Sequence, residues 1–244
     1  MKLKLEKPNE LVKGVEIISE LVSEVRVKVS EFGLNITAMD PANVSLIGYS
    51  LPKEAFSIFE AESETLGVNL DDLKGILKRC GTKSSLLIEK NENFLDIVIE
   101  DKVRRSFSLC LIDIERDEID FKTKTERMEF VSKVEIDSCD LIASIEDCGV
   151  VSDSCIFEIK DGKFIISARG TNSAKSEFSD EAEISGEDSR AKYSLEYLQK
   201  FMKGVKLCQK TILKFSNDHP LMVEVKTDHM KVNFVLAPRV ETED

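Results

Sequence analysis

Apolar and polar residues alternate with the same rhythm in two distant stretches of the chain. In EVRVKVSEFGLNITAMD (24–40), Val25, Val27 and Val29 are separated by charged residues. A turn falls at Phe32-Gly33, and Leu34, Ile36 and Ala38 resume the alternation. In SCIFEIKDGKFIISARG (154–170), Cys155, Phe157 and Ile159, then Phe164, Ile166 and Ala168, occupy the same places at an offset of 130 residues. Period-two patterning of this kind predicts paired strands with one buried face. Upstream at the same offset, Leu11, Val12, Val15 and Ile18 meet Leu141, Ile142, Ile145 and Cys148, stripes at the three-to-four spacing of an amphipathic helix. Downstream the offset slips by a few residues. NLDDLKGILKRC (69–80) overlays SLEYLQKFMKGV (194–205), with Leu70, Leu73 and Leu77 on Leu195, Leu198 and Met202, and Leu95, Ile97 and Ile99 meet Leu221, Val223 and Val225. Small drifts are what changes in loop length produce, and four matches in one order identify a tandem duplication.

Each half therefore reads strand, helix, strand pair, further strands, helix, strand pair. Helices set among antiparallel strands predict α+β halves, and no alternating βαβ series is present to build a doubly wound parallel sheet. We divide the chain into an N-terminal domain (1–112), a connector (113–127) and a C-terminal domain (128–244) ending in a short acidic tail. The connector, DIERDEIDFKTKTER, is charged and free of Gly and Pro, and is expected to be extended rather than folded.

With 244 residues, the chain can bury a sizeable core in each half. No apolar run approaches the roughly 20 residues that span a bilayer, and MKLKLEKPNE has no apolar h-region, so neither membrane nor secretion is expected. The six cysteines (Cys80, Cys110, Cys139, Cys148, Cys155, Cys208) form no CxxC pair and are expected to be mostly buried thiols. Two histidines, His219 and His229, do not make a zinc site with scattered cysteines. Net charge is −12, opposite in sign to the basic footprint usual for nucleic-acid binders, but steering depends on where charges sit.

Catalytic motifs are missing: there is no GxxxxGK[ST] loop, no GxGxxG after a strand and no GxSxG elbow. Carboxylates cluster in DIERDEID (113–120) and FSDEAEISGEDS (178–189), and are expected to be a solvated acidic surface rather than a metal-binding catalytic set. No catalytic residue, metal or cofactor is assigned. Basic residues are better placed. Lys74, Lys78 and Arg79 lie opposite the Leu70/Leu73/Leu77 stripe, and Lys200, Lys203 and Lys206 lie opposite Leu195/Leu198/Met202, with Lys78 on Lys203 in the repeat.

MDPANV (39–44), YSLEYL (193–198) and LAPRVE (236–241) give the chain its resemblance to the PCNA family of DNA sliding clamps, archaeal type, over its whole length. The resemblance implies two tandem clamp domains, with antiparallel sheets outside and two helices of each inside, closing as a trimeric ring around duplex DNA. Sequence-independent DNA contacts would fall to Lys13, Lys74, Lys78, Arg79, Lys200, Lys203 and Lys206. It implies a pocket for PIP-box peptides at Met39, Val44, Leu46, Phe121, Met128, Pro220, Ala237 and Pro238, and through it DNA polymerase, clamp loader, flap endonuclease and DNA ligase as partners. It implies a subunit interface between RRSFSLCLI (104–112) and NSAKSEFSDE (172–181), with Arg105, Phe107 and Leu109 meeting Lys175, Glu177 and Phe178. It implies a processivity factor without enzymatic activity, cytoplasmic and nucleoid-associated, or nuclear in a eukaryote.

One segment departs from the family. DSCDLIASIEDCG (137–149) carries four acidic residues and no basic one, and Ala143 stands where the first half has Lys13. A clamp paralogue in a heterotrimeric or checkpoint-type ring would account for it. A carboxylate-based metal-dependent phosphoesterase is the reading from another class. The duplicated lysines and the shortage of histidines weigh against it.

Overall fold

The computed structural model describes residues 1–115 and 119–239. These fall into two compact units, one of Met1–Pro41, Ile47–Asp120 and Asp228–Val232, the other of Ala42–Leu46, Phe121–Thr227 and from Asn233 onward.

In the first unit, β1 (Lys2–Leu5) leads into α1 (Asn9–Ile18), the hairpin β2 (Glu24–Ser30) and β3 (Gly33–Met39), then β4 (Ser45–Pro52). A 3-10 turn (Lys53–Ala55), β5 (Ile58–Glu60), β6 (Glu64–Asn69), α2 (Leu70–Leu77), β7 (Ser85–Asn91), β8 (Phe94–Glu100) and β9 (Arg104–Cys110) follow. Five strands hydrogen-bond in the order β5-β1-β7-β8-β9, and four in the order β4-β3-β2-β6. The helices lie side by side. Their buried stripes, Leu11, Val15, Ile17 and Ile18 on α1 and Leu70, Leu73 and Leu77 on α2, seal the core that the strands' inward residues begin. Gly14 brings α1 close to Tyr49, because a Cβ there would meet the ring at 2.2 Å.

The second unit repeats this plan. It runs β10 (Ser132–Asp137), α4 (Ser138–Val151), β11 (Ser154–Lys160), β12 (Lys163–Arg169), β13 (Ser173–Phe178) and β14 (Ala182–Gly186). β15 (Ser189–Ser194), α5 (Leu195–Val205), β16 (Lys210–Phe215), β17 (Leu221–Lys226) and β18 (Lys231–Leu236) complete it. The order β14-β10-β16-β17-β18 mirrors β5-β1-β7-β8-β9, and β13-β12-β11-β15 mirrors β4-β3-β2-β6. Topology thus carries the duplication that the sequence offsets traced. An aromatic cluster fills the core, with Phe157 edge-on to Phe164, Tyr193 and Phe215 at 5.4–6.2 Å.

Two expectations need correcting. The connector is not wholly extended: α3 (Phe121–Thr125) is a single helical turn. It closes because Glu126 N–H donates to the Lys122 carbonyl at 2.8 Å and the Thr125 hydroxyl donates to Phe121 O at 2.9 Å, with Lys122 and Glu126 paired at 3.4 Å. Nor are the cysteines mostly buried. Cys148 and Cys155 are; Cys80 and Cys208 are half-buried, and Cys110 and Cys139 are exposed. Cys110 falls on the outward side of β9, where Arg104, Ser106 and Ser108 are also exposed.

Candidate nucleic-acid and peptide interfaces

In each unit the two helices form one layer on the strands, so their solvent faces are neighbours. α2 starts where Asn69 accepts from the backbone N–H of Asp71 and Asp72 at 3.0 and 3.1 Å, satisfying two orphan donors of the first turn. Leu73 and Leu77 turn inward, and Lys78 and Arg79 emerge exposed at the opposite end. On α5, Leu198, Phe201 and Met202 are buried while Lys203 and Lys206 are exposed. Lys78 and Lys203, equivalent in the repeat, therefore occupy equivalent exposed places.

Several of the other cations have defined partners. Lys74 is half-buried: its ammonium donates to Ser19 Oγ at 2.9 Å and lies 4.0 Å from Asp71. Lys200 pairs with Glu196 at 3.0 Å and lies over the Tyr197 ring, 5.0 Å from its centroid. Lys13 on α1 is exposed but paired with Glu16 at 2.7 Å. α4 offers Asp140, Ala143, Glu146 and Asp147 to solvent and has no basic residue.

The peptide-pocket residues divide between the units. Met39 belongs to the first, where it lines a hollow of about 70 Å³ with Arg26, Thr37, Ile114 and Ile119. The other seven belong to the second. There the Ala237 N–H donates to the Val44 carbonyl at 2.9 Å, laying the 237–238 segment beside 44. Val44, Phe121, Met128, Pro220, Ala237 and Pro238 are half-buried, but Leu46 is only 4% exposed and packs as core. Next to Pro220, the His219 ring meets Phe130 edge-on at 5.8 Å and its carbonyl accepts from Tyr193 Oη at 2.8 Å.

β9 and β13 each end a sheet, and the phase of their ladders shows what they present. Leu111 N–H donates to Asn93 O at 2.8 Å in line with the β8–β9 register. Antiparallel ladders bond alternate pairs, so residues 105, 107 and 109 bond to β8 while 104, 106, 108 and 110 turn their backbone to the open edge. The Gly170 N–H to Asn172 O bond, 2.8 Å, sets β13 likewise: Ser173, Lys175 and Glu177 face the edge and Phe178 bonds inward. Arg105, Phe107 and Leu109 thus direct their backbones toward β8, with Leu109 buried and Arg105 and Phe107 half-buried. Glu177 accepts from Lys163 at 2.5 Å and Lys175 at 2.8 Å, and these hydrogen bonds hold its pKa down at about 2.

Three residues that sequence reasoning passed over bind the ends of the two units. Arg26 Nη2 donates to the Ile114 carbonyl, Gly67 O accepts from Ile112 N–H at 3.0 Å, and Arg239 pairs with Asp153 at 2.7 Å, drawing that carboxyl below its ordinary range. A glycine inside a strand is a sign of close backbone approach and would have flagged Gly67; nothing local flags the two arginines. Among the described residues no group of three or more His, Cys, Asp or Glu side chains is disposed to hold a metal ion, and no helix is long and apolar enough to cross a membrane.

Comparison with known proteins agrees with this architecture. Residues 1–120 match the family model for the proliferating cell nuclear antigen N-terminal domain and 124–240 the model for its C-terminal domain. The chain is 36% identical over 241 residues to the DNA polymerase sliding clamp of Pyrococcus furiosus, covering 95% of each. It is 37% identical over 232 residues to DNA polymerase sliding clamp 1 of Thermococcus kodakarensis, covering 91% of this chain and 92% of that one. The crystal structure of the proliferating cell nuclear antigen from Entamoeba histolytica overlays it with a TM-score of 0.89 at 22% identity, over 98% of both chains. The PCNA2–PCNA3 complex from Sulfolobus tokodaii does so with 0.86 at 24% identity, over 99% of this chain and 100% of that one. The duplicated two-helix units, the two family models and the archaeal relatives converge: the chain belongs to the proliferating cell nuclear antigen family, the DNA sliding clamps.

Proposed function

We infer that this chain is the subunit of a DNA sliding clamp, which encircles duplex DNA and tethers the replicative polymerase and other replication and repair enzymes. The observation that carries this reading is the exposure of Lys78 and Lys203 at equivalent places in two equivalent helix layers. Cations repeated in this way can meet phosphates without reading bases, which gives salt-sensitive, sequence-independent contact compatible with sliding.

The ring closes head to tail, the open edge of β9 in one subunit pairing with that of β13 in the next. A heterologous contact whose rotation closes generates a ring, and pairing removes two exposed sheet edges. Val44, Phe121, Met128, Pro220, Ala237 and Pro238 of the second unit receive PIP-box peptides of polymerase, clamp loader, flap endonuclease and ligase. The clamp itself catalyses nothing and works in the nucleoid-bearing compartment. α4, acidic where α5 is basic, favours a second assembly: a heterotrimer in which other subunits bring the missing positive charge.

Light scattering of the purified chain tests the assembly. A trimer mass, with stimulation of a polymerase on primed circular DNA, is expected of a homotrimeric clamp. A monomer or dimer that stimulates only after another clamp subunit is added marks the heterotrimer. Absence of stimulation in every combination overturns the clamp reading.

A further inference from the structure

The chain leaves each unit along an edge strand, and it is fastened there in the same way twice. In the first unit the Leu70 N–H to Ser23 O bond, 2.8 Å, continues the β2–β6 ladder. Its phase turns the Gly67 carbonyl to the open edge of β6, where it accepts from Ile112 N–H at 3.0 Å. In the second unit the Leu195 N–H to Asp153 O bond, 2.9 Å, sets the β11–β15 phase. Lys192, the equivalent of Gly67 in the repeat, presents its carbonyl and accepts from Arg239 N–H at 2.7 Å.

A guanidinium reinforces each fastening. Arg26 stands directly opposite Gly67 in the β2–β6 register and reaches over to the Ile114 carbonyl. Arg239 reaches from the departing segment back to Asp153 at the start of β11. Close approach in the first unit depends on glycine, since a Cβ on Gly67 would lie 1.9 Å from the Ile112 carbonyl oxygen. We propose that these two latches, Arg26 with Gly67 and Arg239 with Asp153, preset residues 112–115 and 237–239 for partner peptides, with the two arginines as positioning residues.

The proposal rests on the reading of those segments as contacts for partner peptides. A segment already held in place need not be ordered when a peptide arrives, so the docking-competent fraction is high; releasing it lowers apparent affinity by the factor by which that fraction falls. The loss belongs in the association rate, because the finished complex keeps the same interactions.

The test uses the full-length chain and a synthetic PIP-box peptide. Arg26→Ala should speed amide exchange at 112–115 and Arg239→Ala at 237 and 239, and each should weaken peptide binding by about three- to tenfold, chiefly through slower association. Arg26→Lys, which keeps one donor for the Ile114 carbonyl, should recover part of the loss, and Lys133→Ala, a cation removed from β10, should change nothing. Unchanged exchange at those amides overturns the latches. Faster exchange with unchanged association overturns their role in presetting the segments. Val44→Glu checks the docking site separately: if it leaves peptide binding intact, the docking site lies elsewhere and that reading, not the latches, is what fails.

Discussion

Glu177 lies on the open edge of β13 with two ammonium groups donating to its carboxylate. Its pKa of about 2, against an ordinary 4.5, makes the folded state bind fewer protons than the unfolded one between those values. The stabilisation is therefore complete above about 4.5 and is lost as pH falls toward about 2. The group is solvent-exposed, so the effect is small. Glu177→Gln should flatten the fall in melting temperature between about pH 5 and pH 2; an identical fall in both proteins would show that the pair contributes nothing. Residue chemistry of this kind is partly legible in sequence. The period-two pattern puts Lys175 and Glu177 on one face of a strand, but Lys163 reaches Glu177 only through the hairpin register of β12 and β13. Leu46 is the opposite case. A leucine flanking a resemblance motif looks like a pocket wall, and only its burial reveals it as core; a charge placed there would be buried unpaired and would test folding instead of docking.

At the scale of elements, the strands that matter for assembly were visible as alternation, and the helices as stripes. α2 and α5 fall inside 69–80 and 194–205. β5 and β14, of three and five residues, escaped because so short a run has too few residues to show a period. α3 escaped because Phe-Lys-Thr-Lys-Thr has no apolar stripe and is closed by local hydrogen bonds. The ladder phase of β9 was also beyond sequence reach, and it now sharpens a prediction. Ser108 turns its N–H to the open edge, so Ser108→Pro removes a donor from the inter-subunit ladder while leaving β8–β9 bonded. The variant should shift from trimer toward monomer at low micromolar concentration by light scattering, with little change in the circular dichroism of the monomer. A full trimer mass would exclude β9 as the pairing edge. α4 supplies a second test. If its solvent face borders the DNA as α5's does, neutralising Asp140, Glu146 and Asp147 to Asn, Gln and Asn should tighten binding to closed circular duplex and steepen its salt dependence. An unchanged salt slope would place α4 away from DNA.

For the whole molecule, the net charge of −12 and a DNA-facing role are compatible because the charge is partitioned. Lys78, Lys203 and Lys206 are exposed toward the C-terminal ends of α2 and α5, while α4 is acidic and FSDEAEISGEDS runs through β14 and its flanking turns. Lys78→Glu with Lys203→Glu reverses the two cations that the repeat places equivalently. Both side chains are exposed, so each substitution should cost about 0.5 kcal/mol or less in stability. For every phosphate left without its lysine, the salt slope of DNA association should fall by about 0.9. Retention by a closed ring is topological, so the larger defect should be in polymerase stimulation rather than in affinity for short duplexes. The control must reverse two lysines elsewhere without breaking an ion pair. Lys160 and Lys163, on the turn of the second hairpin, look suitable by sequence. Lys163, however, holds Glu177 at 2.5 Å on the open edge of β13, so its reversal would disturb assembly as well. Lys133 on β10 and Lys226 at the end of β17 are exposed strand residues and serve better. The helix pair should lose stimulation while the strand pair keeps it, with both variants at the mass of the parent assembly. Equal stimulation by the two variants would remove α2 and α5 from the DNA path and, with them, the observation on which the clamp reading stands.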